Sequence, residues 1–380
     1  MTIEIKNTSN NMTIVLSGRL DTAASAEVGA EINKALGEAG QVKSITVDAA
    51  GMEFISSSGL RIIISLKKQC QNLSVINVSQ EVYNVFEITG FTKIINISKA
   101  LREVSIEGCE EIGRGGVGIV YKTSPDTIVK VFREGSPMAE LEKEISMAKE
   151  AFVLGMPTAI SFDIVKVGSQ YGLVYEMLDA ETLSTAIRKA PEKIDEYAVK
   201  FAKLVRALHD IEVEPGGIIP DAHAHEMEAL DTLIRYFTQE QVDMLKAIQN
   251  AIPRGNRLLH CDLHPKNVML QGDELMFIDM GEVGYGNPLI DLAHTYSSMK
   301  AIVGDYEQII GLTEEQCHRF YDVFIAEYFA GESAEEIASH VEEIRLASRV
   351  RNFSWLSLSD SFPKEVIEMC REEFKKRIGQ

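Results

Sequence analysis

The sequence predicts two folded units: an α/β unit over residues 1–102, and a larger α+β unit of two lobes, 103–178 and 179–380. Three observations predict this. The first hundred residues alternate short β-type runs with helical stretches, the pattern of an α/β layer. Near Leu101–Ile106 the text changes to glycine-punctuated β runs with no helix between them. Beyond residue 180 helical periodicity dominates, broken by one polar turn in "LLHCDLHPKNVML" (Leu258–Leu270) and the apolar run "ELMFIDMGEV" that follows it.

In the first unit "MTIVLSG" and "KSITVDA" read as strands. "TAASAEVGAEINKAL" reads as a helix capped by Asp21 or Thr22. "GLRIIISLKKQC" (helix), "LSVINV" (strand), "QEVYNVFEITG" (helix) and "TKIINI" (strand) complete it. In the second unit "IVYK" and "TIVKVF" are strands joined across the turn "TSPD", and "AELEKEISMAKEAFVLG" is a helix. "YGLVYEMLDAETL" is a strand running out into an acidic connector. "AVKFAKLVRALHDI", "HEMEALDTLIRYF", "EEQCHRFYDVFIAEYFA" and "EEIASHVEEIRLASRVRNFSWL" are helices, the aromatic stripe of the third being core.

Composition narrows the class. No apolar run nears the roughly 18 residues of a membrane span, and "MTIEIKNTSNN" is no secretory leader. The five cysteines are scattered, odd in number and never in a C-x-x-C pair, which fits free thiols in the cytoplasm and excludes a disulfide framework or zinc site. Residues 1–102 carry a net charge of +1, whereas 103–380 hold 28 basic and 48 acidic side chains, net −20. Such a surface excludes nucleic acid and anionic membrane as partners and attracts cations.

Within "EEIGRGGVGIVYK" the glycines Gly113, Gly115, Gly116 and Gly118 form a G-x-G-x-x-G between strands, where backbone N–H groups can approach a polyphosphate. No helix follows directly, which favours a β-hairpin flap over a dinucleotide turn. Lys130 lies mid-strand among β-branched residues and needs a carboxylate partner. Glu144, just before the apolar face Ile145, Met147, Ala148, Ala151 and Phe152, is the expected partner, with Glu140 one turn earlier as runner-up. "DAHAHE" (Asp221–Glu226) reads as a capped, solvated helix start, because His223 and His225 would diverge on a helix rather than share a metal.

The polar turn reads His260-x-Asp262-x-x-x-x-Asn267, and the next strand ends in Asp279-x-Gly281. Phosphoryl transfer needs a carboxylate near the attacking hydroxyl and oxygen ligands for Mg²⁺ on the phosphates of ATP. Gly-rich loop, strand lysine, helix glutamate, H-x-D-x-x-x-x-N and D-x-G follow one another in the order of the kinase signatures. On this reading His260 and Asp262 are catalytic, Asn267 and Asp279 hold the metal, Lys130 anchored by Glu144 holds the phosphates, and the backbone near Glu176–Leu178 meets the adenine.

Two resemblances sharpen these expectations. "LSGRLDTAASAEV", "ITVDAAGMEFISSSGLRIII" and "VFEITGFTKII" resemble the STAS family of anti-sigma-factor antagonists. The resemblance implies a phosphorylation site at Ser57, with Ser58 as second choice, and a protein partner through this domain. Ser56 stands where that family has aspartate, and the serines also suit a helix cap. "HCDLHPKNVML…FIDMGEVGYGNPLIDLAH" resembles the aminoglycoside phosphotransferase and choline kinase superfamily. His264 stands where protein kinases carry lysine, the metal motif is Asp-Met-Gly, and only eleven residues separate Asp279 from Asp291. Cys261 occupies a position often held by Gly or Arg. This resemblance implies a bilobal protein-kinase-like fold, Asp291 as structural anchor of the catalytic loop, and a small-molecule hydroxyl as acceptor, cationic or polyhydroxylated to suit the acidic charge. Two alternatives stand beside it: a protein serine kinase or partner-switching regulator acting on STAS domains, and a nucleotide-binding interaction module without turnover.

Overall fold

β2 (Asn11–Leu20) alternates apolar and polar residues, and every second side chain from Met12 to Leu16 is buried. That period of two fixes one face of the first sheet on a core. A computed structural model of the chain describes all residues except 9, 41, 116, 117, 303, 359–361, 379 and 380, and the side chain of 358. It divides into two compact units, Met1–Val104 and Ser105–Gln380.

The first unit runs β1 (Thr2–Thr8), β2, α1 (Thr22–Ala39), β3 (Ser44–Ile55), α2 (Ser57–Gln69), β4 (Leu73–Val78), α3 (Gln80–Ile88), β5 (Asn96–Lys99) and the two-residue β6 (Arg102–Glu103). Its five-stranded sheet has the order β1-β2-β3-β4-β5, antiparallel between β1 and β2 and parallel from there on. Asp21 caps α1, accepting from Ala23 N and Ala24 N at 3.0 and 2.9 Å. Ser56 caps α2, its hydroxyl accepting from Gly59 N at 3.3 Å. Gly59 is required there because a Cβ would meet Ile55 Cγ1 and Leu20 Cγ at 2.8 Å. The expected strand "TKIINI" is corrected: Phe91–Lys93 is a 3-10 turn, entered through Gly90 at φ 77°, and pairing begins only at Asn96.

The second unit begins with the antiparallel strands β7 (Glu110–Arg114), β8 (Gly118–Lys122) and β9 (Thr127–Phe132). α4 (Met138–Val153), β10 (Ser161–Val167) and β11 (Gln170–Glu176) follow, and the strands lie in the order β10-β11-β9-β8-β7. Lys130 is therefore central, opposite Val120 on one side and Leu173 on the other. Next come β12 (Glu181–Thr182), α5 (Leu183–Lys189), α6 (Ile194–His209), α7 (Ala222–Thr232), α8 (Gln239–Ala251) and β13 (Arg257–Leu259). β14 (Val268–Gln271) and β15 (Glu274–Phe277) form a hairpin, and β16 (Gly284–Gly286) returns to pair with β13. α9 (Leu289–Lys300), α10 (Tyr306–Ile309), α11 (Glu314–Tyr328), α12 (Ala334–Ser354) and α13 (Lys364–Arg377) close the unit.

The aromatic stripe of α11 is core. Phe320 and Phe324 are fully buried, edge-on against Phe201 of α6 at 5.3 and 5.2 Å between centroids. The cysteines are all free thiols. Among the described residues no helix is long and apolar enough to cross a membrane, and no cluster of three or more His, Cys, Asp or Glu is placed to hold a metal. Asp221 caps α7, as expected of "DAHAHE", but His223 is not solvated: it is 4% exposed, its Nε2 bonded to Gln249 O at 3.0 Å.

Candidate active site

Strands β7–β9 and the β11 exit enclose a cavity of about 530 Å³, a volume suited to a nucleotide-sized ligand. Gly113, Gly115, Gly118, Lys130, Glu144, Glu176, Leu178 and Asp279 all line it, while Gly116 lies outside the described residues. Gly118 is needed for the strands to approach, because a Cβ there would meet Val131 O at 2.3 Å. A Cβ at Gly113 would meet Val120 Cβ and Cγ2 at an ordinary 3.7 and 3.8 Å.

Lys130 Nζ donates to Glu144 Oε1 at 2.9 Å and to Asp279 Oδ1 at 3.0 Å. Glu144 is buried in α4 whereas Glu140 is exposed, so the helix face selects Glu144. Tyr175 on β11 also donates to Glu144 Oε1, at 2.8 Å. Burial alone would pull Lys130 down, but Asp279 and Glu144 outweigh it and hold the ammonium above the usual lysine value. Burial and the nearby Glu144 push the Tyr175 phenol well up, so it remains a donor. At the β11 exit, Glu176 N donates to Ile160 O and Met177 N to Asp126 O. Leu178 N has no backbone partner among the described residues.

The polar turn lies between β13 and β14. Asp291, at the start of α9 and 0% exposed, accepts from His260 N at 2.8 Å, Cys261 N at 2.7 Å and His209 Nε2 at 3.1 Å. His294, one turn on, donates from Nδ1 to Cys261 O at 2.5 Å. This clamp holds Cys261 at φ 63°. Asp279 has φ 61°, and the only other left-handed non-glycine residues among those described are the asparagines Asn10 and Asn77, which tolerate that region best. The two costly left-handed residues thus both sit at the site, where strain is held by surrounding bonds.

Asp262 follows Cys261. Its Oδ2 accepts from Asn267 Nδ2 at 2.9 Å and lies 3.6 Å from His264 Nε2, while its Oδ1 accepts from Arg351 Nη2 at 3.0 Å. Burial opposes its ionisation, but His264, Arg351 and His260 outweigh that and hold the carboxyl well below the usual range. Ile278 N donates to Asn267 O at 3.0 Å, which brings Asn267 alongside the strand end that carries Asp279. The side-chain oxygen of Asn267 has no partner among the described residues.

His260 differs from its expected place beside Asp262 as a reacting group. It is 0% exposed, its Nδ1 accepts from Asp262 N at 3.3 Å and its Nε2 donates to Ile278 O at 3.0 Å. With both nitrogens engaged by backbone, it braces the turn. Asp262, Asn267 and His260 are not among the residues lining the glycine-roofed cavity. Arg351, Tyr175, His209 and His294 were not legible as site residues. Arg351 comes from α12, 89 positions beyond Asp262, and nothing in its spacing marks it.

A family model described as the phosphotransferase enzyme family matches residues 117–336, and one described as the STAS domain matches residues 2–104. Among solved structures, ADP-bound aminoglycoside phosphotransferase APH(2'')-Ib is similar at a TM-score of 0.50 and 14% identity, over 71% of this chain and 92% of that one. A choline/ethanolamine kinase family protein from Mesorhizobium loti gives 0.45 and 14%, over 72% and 88%. An aminoglycoside-3'-phosphotransferase of type VIII gives 0.45 and 21%, over 63% and 94%. No curated protein matches the chain.

Proposed function

This chain belongs to the phosphotransferase enzyme family and carries a STAS domain, and on that premise we propose that it transfers the γ-phosphoryl group of ATP to a hydroxyl of a small molecule. The observation that carries the reading is Lys130 bridging Glu144 and Asp279 on the wall of a nucleotide-sized cavity. An ammonium so held is charged, fixed in direction and set to meet phosphate oxygens.

Leu178 N–H offers a donor to a ring nitrogen of the base, and β7 and β8 cover the phosphates. Asn267 and Asp279 fit Mg²⁺, which takes one or two protein oxygens and keeps phosphate and water oxygens for the rest. Bound there, it would neutralise charge on the β- and γ-phosphates. Asp262 receives the acceptor hydroxyl. The bond from the γ-phosphorus to its bridging oxygen breaks, the bond to the acceptor oxygen forms, the hydroxyl proton passes to the Asp262 carboxylate, and ADP leaves. A carboxyl held below the usual range is a weak base, so its main work is orientation, with the proton accepted late. His260 and Asp291 act through the turn rather than on the substrate.

Calorimetry of Mg·ATP binding tests the reading. Asp279→Ala should remove the magnesium-dependent part of the affinity, and equal affinity in variant and wild type would refute it. Asp262→Asn should leave binding near normal while lowering turnover by about 10²–10⁴-fold.

A further inference from the structure

One guanidinium in the second unit serves two carboxylates and touches only one of them. Arg351 on α12 donates from Nη2 to Asp262 Oδ1 at 3.0 Å, and its Nε and Nη1 have no partner among the described residues. Glu226 on α7 is 7% exposed; among the described residues no hydrogen bond or ion pair reaches its carboxylate, and Oε1 is wholly buried. A buried carboxylate without a donor is strongly unfavourable, so a state of the chain that supplies one is favoured. Arg351 and Glu226 wall the same enclosed space of about 30 Å³, too small for a substrate but open enough for a side chain to turn. Burial works against the Arg351 charge, but Asp262 and then Glu226 outweigh it, so Glu226 already acts on the guanidinium it does not touch. Other donors for Glu226 are poorer. Lys143 is exposed, which leaves its ammonium solvated, and His294, pulled down by burial, gives its Nδ1–H to Cys261 O.

The position of Arg351 bears on the reaction. Asp262 Oδ2 is taken by Asn267 and faced by His264. Oδ1 is the oxygen left for an acceptor hydroxyl, and Arg351 lies on it. Resting on the phosphotransferase reading, we infer that Glu226 is a positioning residue: it is the second seat of Arg351, and drawing the guanidinium from Asp262 to Glu226 clears Oδ1 for the hydroxyl. A guanidinium carries five N–H donors in a planar fork, so it can pass from one carboxylate to the other by rotation about side-chain bonds, with α7 and α12 unmoved. The move exchanges one charge-assisted bond for another and relieves the unpaired Glu226, and the arriving hydroxyl replaces the donor that Asp262 loses. Glu226 touches no reacting atom and acts only through Arg351.

The test uses the full chain with Mg·ATP, and water serves as the phosphoryl acceptor, read by ADP release. Glu226→Gln removes the charge of the second seat and keeps Arg351 on Asp262. It should slow ADP release at least about tenfold, the worth of one charge-assisted hydrogen bond. It should leave Mg·ATP affinity unchanged by calorimetry and hold or raise the urea midpoint, because an unpaired buried charge is gone. A merely structural Glu226 would instead lower midpoint and turnover together. In an Arg351→Gln background the same substitution should leave ADP release unchanged, since the residue it acts through is absent. A readout free of turnover is the Arg351 Nε–H resonance of a chain isotope-labelled in arginine, assigned by its loss in Arg351→Lys. It should show an exchange contribution in the wild type that Glu226→Gln abolishes. No exchange in the wild type, exchange that persists in Glu226→Gln, a lowered midpoint, or an unchanged rate in a chain that does turn over overturns the inference and leaves the phosphotransferase reading standing. Exchange that Glu226→Gln abolishes, in a chain that binds no Mg·ATP and releases no ADP, supports the second seat and overturns the phosphotransferase reading.

Discussion

Asp291→Asn isolates what holds the polar turn between β13 and β14 in place. The wild-type carboxylate accepts three bonds, with Oδ2 serving His260 N and His209 Nε2 and Oδ1 serving Cys261 N. The best an amide can do is place its oxygen at the Oδ2 position and turn its NH₂ toward Cys261 N. One buried N–H is then orphaned, at about 1–3 kcal/mol, and two charge-assisted bonds become neutral at about 1 kcal/mol each. The expected loss is about 3–5 kcal/mol, a large share of the roughly 5–15 kcal/mol of a typical domain. The chain's one tryptophan, Trp355, lies in the second unit, so urea unfolding followed by its fluorescence reads the right transition. Cys261 would also be freed to leave φ 63°, carrying Asp262 with it, and a displacement of about 1 Å can cost about 100-fold in turnover. Burial raises the Asp291 carboxyl, but the His209 bond and the nearby histidines outweigh it and leave it depressed. Its contribution is therefore present above the unfolded value of about 3.9 and is lost as pH falls through the folded one. The stability gap between wild type and variant should be level near neutrality and shrink in strong acid. A midpoint shift worth less than about 1 kcal/mol at neutral pH would refute the clamp.

Other outcomes follow from single contacts. Gly118→Ala should destabilise the second unit by about 1–3 kcal/mol and weaken nucleotide binding, since its Cβ meets the backbone carbonyl of Val131 at 2.3 Å, whereas Gly113→Ala should leave stability within about 0.5 kcal/mol; urea midpoints compare them. Tyr175→Phe removes a bond to Glu144 and should cost about 0.5–1.5 kcal/mol, read in the same way. Lys130 is held above its ordinary value, so its ion pairs are fully present below about pH 10.4 and lost only as pH rises past that; nucleotide affinity measured between pH 7 and 9 should show no lysine titration. Ser57 is exposed at the first position of α2, where N–H groups and the helix dipole favour an added anion. Mass spectrometry after incubation with Mg·ATP should find phosphate on Ser57 that is absent from the Asp262→Asn chain, and none at Ser57 or Ser58 would leave the domain as a docking module.

What was legible in the sequence follows physical lines. Lys130 stood out because a lysine amid β-branched residues needs a carboxylate, and the helical face chose Glu144 over Glu140. The meeting of Asp262 with Asn267 was legible because one loop carries both, and Asp279 ends the strand that follows. Arg351 was not, because its contact with Asp262 joins two segments whose local patterns are independent. "TKIINI" misled because alternation alone cannot register the left-handed turn at Gly90 and the packing of Phe91 on Phe86, at 5.8 Å between centroids. His223 misled because its acceptor, Gln249 O, belongs to the next helix. Its divergence from His225 was read correctly, but its burial could not be.

The guanidinium on Asp262 comes from residue 351, while the family pattern ends at residue 336. The part of the chain that this pattern describes holds Lys130, Glu144, Asp262, Asn267 and Asp279, but of the loop glycines only Gly118. The guanidinium that Asp262 accepts from lies past its edge. Swapping α12 between relatives, with everything before it kept, would therefore be expected to change which molecule is modified while leaving intact the machinery that modifies it.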